Sequence, residues 1–320
     1  MTKIIAVTNQ KGGCGKTTSV ISLASALTMR GYSCTVVDCD QQTNATQAFG
    51  IDAEELDEDQ YTVLDAYLNK RPADQIEMSF PDRFGGRMFL VPGSRGVSTV
   101  QFRYDSHVNE QLASQEITHL DADLLKDDQR ARLKSSLGAL KGKRDFIFID
   151  TGPELALLMT TALIAADHYL IPMNPSAFDL KGLKLLLKAS GQIRERYQHN
   201  LSLLGVFLTR TKYTKLDSDV RELLQASLKP GDMLTAEIGD SVKHREATLY
   251  GLSIHEHAAG EAASTQYLAM ADELLERMGN PTPLHGEKTL GSSDVHIADN
   301  LAVPNPSRQT PPIAAGQGDE

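Results

Sequence analysis

Short apolar runs alternate along the chain with longer segments in which apolar residues recur at helical spacing. Each run ends at polar or Gly-rich residues, which is typical of a buried strand, whereas a helical period is typical of an amphipathic helix. The predicted strands are residues 4–9, 34–38, 88–91, 145–150, 168–172, 203–209 and 234–238. The predicted helices are residues 17–29, 130–140, 154–165, 180–197, 218–227 and 262–278.

This alternation of strands and helices predicts right-handed crossovers and a mostly parallel sheet. We therefore expect an α/β fold in which a doubly wound sheet carries helices on both faces. The low aromatic content of 6% and the absence of Trp fit the aliphatic core of such a sheet. Ligands of these sheets bind beyond the carboxyl ends of the strands.

Composition and charge narrow the class of protein. The chain has 320 residues and a formal net charge of −10 at pH 7, which argues against a globally basic nucleic-acid-binding protein but allows a local basic patch. Cys14, Cys34 and Cys39 form no CxxC pair and predict no disulfide framework. No apolar run is long enough to span a bilayer, and the N-terminus lacks the pattern of a signal peptide, so we expect a cytoplasmic protein.

Two stretches differ in composition from the rest. Residues 50–60 are rich in Asp and Glu and are interpreted as a solvated loop or helix start. From about residue 280 the chain carries six of its thirteen prolines and shows no helical period. We therefore predict a globular domain over residues 1–279 and a disordered tail over residues 280–320. The tail lacks the basic amphipathic pattern of a membrane-surface helix, so no membrane anchor is expected.

The first strand is followed by Lys-Gly-Gly-Cys-Gly-Lys-Thr-Thr at residues 11–18 and then by a helix. This is the context of a phosphate-binding loop, in which backbone N–H groups and a helix N-terminus surround phosphate oxygens. We expect Lys16 to reach the β- and γ-phosphates of ATP, the Thr17 hydroxyl to ligate Mg²⁺, and Thr18 to bond near the α-phosphate. The nucleotide-binding residues predicted in the loop are Gly12, Gly13, Cys14, Gly15, Lys16, Thr17 and Thr18.

A second lysine, Lys11, opens this loop. Because Lys16 already pairs with the phosphates, Lys11 has no role inside its own loop. In a facing subunit it would neutralise the charge that builds on the γ-phosphate during phosphoryl transfer. This is the deviant Walker A arrangement, and it predicts a dimer with shared sites. The alternative is a solvated lysine at the edge of the loop.

With these motifs the chain resembles the ParA/Soj/MinD family of ATPases, and ParA-type partition proteins in particular. The resemblance covers residues 1–278. It rests on the loop at residues 11–18, on Asp-Cys-Asp-Gln-Gln-Thr-Asn-Ala-Thr at 38–46 and on Phe-Ile-Phe-Ile-Asp-Thr-Gly-Pro at 146–153. Residues 238–247 resemble the family's segment near the nucleotide base. Family members are sandwich dimers driven by Mg-ATP, with a doubly wound sheet, and the same is expected here.

The resemblance implies roles for three aspartates. Asp40 would orient or deprotonate the attacking water, so the predicted catalytic residues are Lys11, Lys16 and Asp40. Asp150 would be the Walker B aspartate that holds a magnesium-bound water, and Asp38 would support the metal shell. A turn or cap role is the alternative for each. Arg210 is also expected to contact the nucleotide.

Two positions depart from the family pattern. Gln41 and Gly152 stand where family members usually carry a proline, in Asp-Pro-Gln and Asp-Thr-Pro-Pro respectively. Losing a proline leaves a loop more conformational freedom. We therefore expect ATP binding to be kept, while the hydrolysis rate and the ordering of the two switch segments stay open.

Basic residues cluster on one face of the predicted helix 180–197, after the strand 203–209 and in a late loop. The resemblance places here the surface with which the ATP-bound dimer binds DNA nonspecifically, through phosphate contacts that are salt-sensitive. Gly191 and Thr214 stand near positions where some relatives have DNA-contacting arginines, and each cluster alone could equally be a solvated face. The DNA-binding candidates are Lys181, Lys184, Lys188, Lys212, Lys215, Lys243 and Arg245.

The leading interpretation is a slow, cytoplasmic, nucleoid-associated ATPase that closes a homodimer on ATP and Mg²⁺. A ParB-like or cargo-adaptor protein would stimulate hydrolysis, and the cargo would be a plasmid, a chromosome, or a protein assembly such as carboxysomes or chemoreceptor clusters. A MinD-like cell-division regulator would need a C-terminal basic amphipathic helix. A metabolic relative such as the nitrogenase iron protein would need paired cluster-ligating cysteines. The sequence shows neither, and a non-hydrolysing scaffold is the remaining alternative.

Overall fold

The computed structural model describes residues 1–54, 56, 61–114, 118–153, 157–197 and 199–284. Residues 55 and 57–60 of the predicted acidic loop, and the predicted tail from residue 285 onward, lie outside these ranges. Two hydrogen bonds fasten the last described residues to the domain. The Tyr32 hydroxyl donates to the carbonyl oxygen of Pro281, and the N–H of Leu284 donates to the Asp145 carboxylate.

One sheet lies at the centre of the described residues. Its strands are β1 Lys3–Val7, β2 Cys34–Asp38, β3 Met78–Ser79, β4 Met88–Val91, β5 Phe146–Asp150, β6 His168–Met173, β7 Ser202–Thr211 and β8 Ile238–Gly239. They lie in the order β3-β4-β2-β5-β1-β6-β7-β8, and all pairs are parallel except β3 with β4. Because β1 lies between β5 and β6, the sheet extends outward from β1 in both directions, which is a doubly wound topology.

Helices connect the strands. Those described are α1 Lys16–Met29, α2 Asn44–Gln47, α3 Val63–Tyr67, α4 Val100–Ala113, α5 His119–Gly138, α6 Leu157–Ala165, α7 Leu180–Arg196, α8 Lys215–Ser227, α9 Lys243–Leu249, α10 Ile254–His257 and α11 Ala262–Arg277. Short 3-10 turns lie at Ala73–Gln75, Phe84–Gly86, Arg95–Thr99 and Pro175–Ala177. None of the helices in the described part of the chain has the length and apolar character needed to cross a membrane.

The core consists of two apolar layers, one on each face of the sheet. Successive strand residues point to opposite faces, so Ile4 and Ala6 pack in one layer while Ile5 and Val7 pack in the other. The first layer includes residues of α3 to α8, and the second includes residues of α1, α2, α10 and α11. Both faces of the strands are therefore buried, which is why the strands are apolar throughout rather than alternating.

The predicted fold class is confirmed, but one predicted strand, residues 234–238, is wrong over most of its length. Only Ile238 of that run belongs to β8. The N–H groups of Thr235 and Ala236 donate instead to the Glu273 carboxylate. Leu234 packs so closely on β7 that a methyl group added to Gly205 would lie 2.5 Å from its Cδ2. The N–H of Leu234 still donates to the Val206 carbonyl oxygen of β7, so the segment touches the sheet at one bridge and is then held by the Glu273 side chain.

The sequence pattern also missed α3, α4, the first half of α5 and the short antiparallel β3. On α4 only Val100, Tyr104 and Val108 are buried, a stripe one residue wide at a spacing of four. So narrow a stripe is a weak signal in a helix that otherwise faces solvent.

Candidate nucleotide-binding site

The phosphate-binding loop lies between the carboxyl end of β1 and the first turn of α1. Gly13 and Gly15 have φ values of 70° and 84°, in the left-handed region that favours glycine. A side chain added at Gly12 or Gly13 would meet no atom within 4 Å, so this stretch of backbone faces open space. Lys16 is buried, and its Nζ donates to the Lys11 carbonyl oxygen at 3.2 Å. The loop thus presents open N–H groups and a lysine to an anion.

Thr17 and Asp150 meet at the other side of the loop. The Thr17 hydroxyl donates to Asp150 Oδ2 at 2.6 Å, while Asp150 Oδ1 is buried without a hydrogen-bond partner among the described residues. Burial, and then the neighbouring Asp38 carboxylate, raise the pKa of Asp150 well above its ordinary value. A hydroxyl beside an unpaired buried carboxylate oxygen is a donor set that suits Mg²⁺ or its bound water.

Both carboxylate oxygens of Asp38 accept hydrogen bonds from the protein. Its Oδ2 accepts from the N–H and the hydroxyl of Thr46, at 2.8 and 2.7 Å, and its Oδ1 accepts from the N–H of Asp40 at 3.2 Å. Burial raises the pKa of Asp38 to about 6. Asp38 therefore fastens the segment after β2, and its support of a metal shell stays a prediction.

Asp40 lies where the two switch segments touch. Its Oδ1 accepts from the N–H of Gln42 at 3.0 Å, and only 6% of the residue is exposed. A methyl group added to Gly152 would lie 3.3 Å from the same oxygen. The glycine that replaces the usual proline therefore lies against the predicted catalytic carboxylate.

Lys11 points away from its own loop. Its Nζ lies 3.8 Å from Asp179 Oδ2, and 49% of its side chain is exposed. Asp179 also caps α7 by accepting from the N–H of Gly182. This exposure is what a lysine needs if it is to reach a second molecule.

A cavity of about 220 Å³ adjoins the loop on its far side. It is lined by Arg210 and by residues of the segment 238–247, and it also includes Tyr267 of α11, which the sequence analysis did not single out. His244 packs edge-on against Tyr267, and burial lowers the pKa of His244 to about 4. The lining residues are Gly15, Thr18, Thr209, Arg210, Ile238, Gly239, Asp240, Ser241, His244, Arg245, Thr248 and Tyr267. The cavity is placed to take the base of a nucleotide whose phosphates lie on the loop.

The predicted DNA-binding residues differ in exposure and in whether they form ion pairs. The three lysines of α7, Lys181, Lys184 and Lys188, are exposed and have no ion-pair partner among the described residues. Lys212 lies 3.5 Å from Asp240.

Lys215 begins α8 and is exposed. Lys243 and Arg245 are on α9, so their placement in a loop was wrong. Lys243 pairs with Glu246 at 3.0 Å, and Arg245 lines the cavity beside the phosphate loop.

Comparison with known proteins agrees with this geometry. Residues 2–203 match the model of a family described as an AAA domain. The chromosome-partitioning ATPase Soj of Treponema pallidum is 32% identical over 283 residues, which cover 87% of this chain and 99% of Soj. A ParA family protein of Chlamydia muridarum is 31% identical and covers 85% of this chain. The chain belongs to the ParA/Soj family of P-loop ATPases.

Solved structures share the fold. A variant of McdA from Cyanothece in complex with ATP superimposes with a TM-score of 0.70 at 21% identity, covering 88% of this chain and 98% of McdA. Cobyrinic acid a,c-diamide synthase from Mycobacterium smegmatis, with bound ADP and magnesium, gives 0.67 at 23% identity, covering 87% and 96%. Identities this low bear on the fold alone.

Proposed function

We propose that this chain is an ATP-driven positioning switch: it binds ATP with Mg²⁺, closes a homodimer, hydrolyses ATP slowly, and is released by a partner protein that stimulates hydrolysis. The observation that carries the proposal is the open glycine loop with Lys16 on one side and the Thr17–Asp150 pair on the other. The proposed ATPase domain covers residues 1–279 and is followed by a proposed tail, residues 280–320, of which Pro281 and Leu284 are hydrogen-bonded to the domain.

Binding would be divided among three groups of residues. The loop N–H groups and Lys16 would hold the phosphates, because they are cationic or donor groups at a helix N-terminus. Arg210, His244 and Tyr267 would surround the base. Thr17 and Asp150 would hold Mg²⁺ directly or through water, and the ion when bound supplies charge neutralisation to the phosphates.

Turnover would depend on Asp40 and Lys11. An ionised Asp40 accepts hydrogen bonds only, so it can orient water and take its proton. Lys11 of one copy would approach the γ-phosphate held by the facing copy and stabilise its developing charge. Because Lys11 is exposed and directed away from its own loop, each site would be complete only in the dimer.

The dimer would bind DNA nonspecifically through the unpaired lysines of α7 and through the exposed Lys215 at the start of α8. Such a protein would act in the cytoplasm at the nucleoid, and its cargo would be a plasmid, a chromosome or a protein assembly. Membership in a family that includes Soj and ParA proteins supports this proposal. A ParB-like or cargo-adaptor protein is the partner proposed to stimulate hydrolysis.

Substituting Lys16 tests whether the phosphate-binding loop binds ATP. Lys16→Ala removes the buried cation from the loop, and we expect ATP affinity to fall by at least about a hundredfold, since a charge-assisted contact to phosphate is worth several kcal/mol when desolvated. Isothermal titration of ATP in the presence of Mg²⁺ measures the change. The control Lys141→Ala removes an exposed lysine elsewhere and should bind as the wild type does. Wild-type affinity in Lys16→Ala would refute the phosphate-loop assignment.

A further inference from the structure

Gly152 and Asp40 lie side by side beyond the ends of two adjacent strands. β2 and β5 are parallel, and Asp38 at the end of β2 pairs in register with Asp150 at the end of β5. Asp40 and Gly152 each follow two residues later. A methyl group added to Gly152 would lie 3.3 Å from Asp40 Oδ1 and 3.6 Å from its Cγ. A glycine at position 152 therefore leaves free the space that this carboxylate needs.

Hydrogen bonds hold the backbone on both sides of this contact. The Thr151 hydroxyl donates to the Val7 carbonyl oxygen of β1 at 2.9 Å, which fastens the segment after β5. The N–H of Thr43 donates to the Asp40 carbonyl oxygen at 3.0 Å, which fastens the segment after β2. Because a shift of either segment would cost one of these bonds, a side chain at position 152 would displace the Asp40 carboxylate instead.

The carboxylate has space into which it can be displaced. Asp40 and Gly152 both line a cavity of about 270 Å³. A movement of a few tenths of an ångström relieves a contact of 3.3 Å, and a rotation of the Asp40 side chain supplies that movement. A methyl group at position 152 should therefore move the carboxylate without unfolding either segment.

We propose that Gly152 is a positioning residue for ATP hydrolysis: because it has no side chain, Asp40 can hold its carboxylate within reach of the attacking water. This role rests on the proposed function of Asp40 as the general base and adds a second residue to it. A general base acts only within hydrogen-bonding distance of the proton that it takes, and a misplacement of about 1 Å can cost about a hundredfold in rate. The smaller displacement caused by one methyl group should cost less.

Gly152→Ala adds one methyl group at this contact, and Gly138→Ala is the matched control. Gly138 ends α5, and a methyl group added there would meet no atom within 4 Å. Neither glycine has a φ in the left-handed region, so alanine fits the backbone at both positions. We expect Gly152→Ala to lower turnover by at least about fivefold with ATP affinity unchanged, and Gly138→Ala to match the wild type in both. Release of radiolabelled phosphate under saturating Mg-ATP measures turnover, and isothermal titration measures affinity.

A double variant shows whether Gly152 acts through Asp40. Asp40→Asn keeps an oxygen at the contact but cannot take a proton, so its residual turnover should not depend on where that side chain lies. Gly152→Ala should therefore lower the turnover of the wild-type chain and leave that of Asp40→Asn unchanged. An equal fold loss in both backgrounds would overturn the positioning role, because the methyl group would then act by another route.

The remaining outcomes separate this role from the proposed function. Wild-type turnover in Gly152→Ala, together with reduced turnover in Asp40→Asn, would overturn the positioning role and leave Asp40 as the general base. Weaker ATP binding in Gly152→Ala would overturn it too, because the methyl group would then disturb the nucleotide site as a whole. Unreduced turnover in Asp40→Asn would overturn the proposed function of Asp40 and the role of Gly152 together.

Discussion

Asp40 is held in place by contacts with residues before and after it in the chain and with the segment after β5. The Asp38 carboxylate holds its N–H, the N–H of Gln42 holds its Oδ1, and Gly152 leaves room for that same oxygen. The carboxylate is thus placed by protein contacts that do not include the phosphate loop. Its contribution to turnover and the loop's contribution to binding should therefore separate in mutants.

Asp40→Asn is expected to bind ATP with wild-type affinity and to lose at least about a hundredfold in turnover, the usual contribution of a general base. Asparagine can still accept from the N–H of Gln42, but it cannot take a proton. Phosphate release under saturating ATP measures turnover, and titration measures affinity. Asp105→Asn, an exposed change on α4, is the control, and unreduced turnover in Asp40→Asn would remove this residue from the mechanism.

His255 makes stability depend on pH. It is fully buried against α1, where its Nδ1 lies 3.5 Å from the Ser25 hydroxyl oxygen and its Nε2 has no partner among the described residues. Burial lowers the pKa of His255 to about 4 from its ordinary 6.5, while Glu256 raises it by less and Arg30 lowers it slightly further. Between these two values the unfolded chain binds the proton and the folded chain does not, so stability falls as pH decreases through that window.

Between about pH 7.5 and about pH 5 the free energy of unfolding should decrease less in His255→Asn than in the wild type. We expect the two decreases to differ by roughly 2 kcal/mol. Urea denaturation at the two pH values measures it. Only the pH dependence is compared, because the substitution also changes packing at both pH values. His107→Asn, at an exposed histidine, should leave the wild-type dependence intact, and an equal dependence in His255→Asn would show that this imidazole titrates normally.

The phosphate-binding loop, Asp40 and Asp150 were predictable from the sequence because each lies in a recognisable motif, whereas Asp179 and Tyr267 were not. The loop at residues 11–18 is local, because glycines and a following helix determine its shape wherever the chain goes next. Asp179, His244 and Tyr267 reach the site from α7, α9 and α11 only after the whole sheet has formed. Nothing in the local sequence of Asp179 or Tyr267 separates them from ordinary cap and core residues, whereas His244 lies in the segment 238–247 that resembles the family's segment near the nucleotide base.

At the scale of elements, α7 joins the nucleotide site to the proposed DNA-binding surface. Asp179 caps its first turn and lies near Lys11, while Lys181, Lys184 and Lys188 follow on its exposed side. One helix therefore contacts the shared-site lysine at its start and offers cations along its length. A movement of Lys11 would first change its contact with Asp179, the residue that caps α7.

Reversing the charges of Lys181, Lys184 and Lys188 to Glu is expected to abolish retention on DNA at low salt and to leave ATP affinity unchanged. Nonspecific binding depends on phosphate contacts, so three such contacts would be lost and three repulsions gained. Gel retardation with Mg-ATP over a series of salt concentrations measures the effect.

The matched control reverses three exposed lysines elsewhere, Lys70, Lys141 and Lys229, and gives the same net charge. If both triple variants lose DNA equally, net charge and not α7 explains the loss. If neither loses it, the DNA-binding surface lies elsewhere.

The strands were predicted well because burial on both faces makes them apolar without interruption. Elements that face solvent, or that side chains hold in place, leave a weaker signal. α4 has one narrow buried stripe, and the segment before β8 is apolar because Leu234 fills the space above Gly205. That segment pairs with β7 only at an isolated bridge at its start, so its apolar run results mainly from packing.

For the whole molecule, a net negative charge is compatible with DNA binding only if basic side chains are concentrated on one part of the surface. The chain carries a formal net charge of −10, and many of its basic groups are already paired, as Arg83 with Glu256 and Arg221 with Glu237 are. Any attraction to DNA must then come from basic side chains without an ion-pair partner, such as the lysines of α7, and act over about one Debye length, 8–10 Å at physiological salt. Such binding would be weak in a monomer and stronger when two copies present their lysines together.

The exposure of Lys11 has a consequence for mixtures of two inactive variants. If each site takes its lysine from one copy and its Asp40 from the other, two inactive variants can repair each other. Lys11→Ala mixed with Asp40→Ala in equal amounts would form mixed pairs in half of the dimers, and each mixed pair would contain one intact site. About a quarter of wild-type turnover should return on mixing two inactive proteins. A mixture as inactive as its components would mean that each copy works alone.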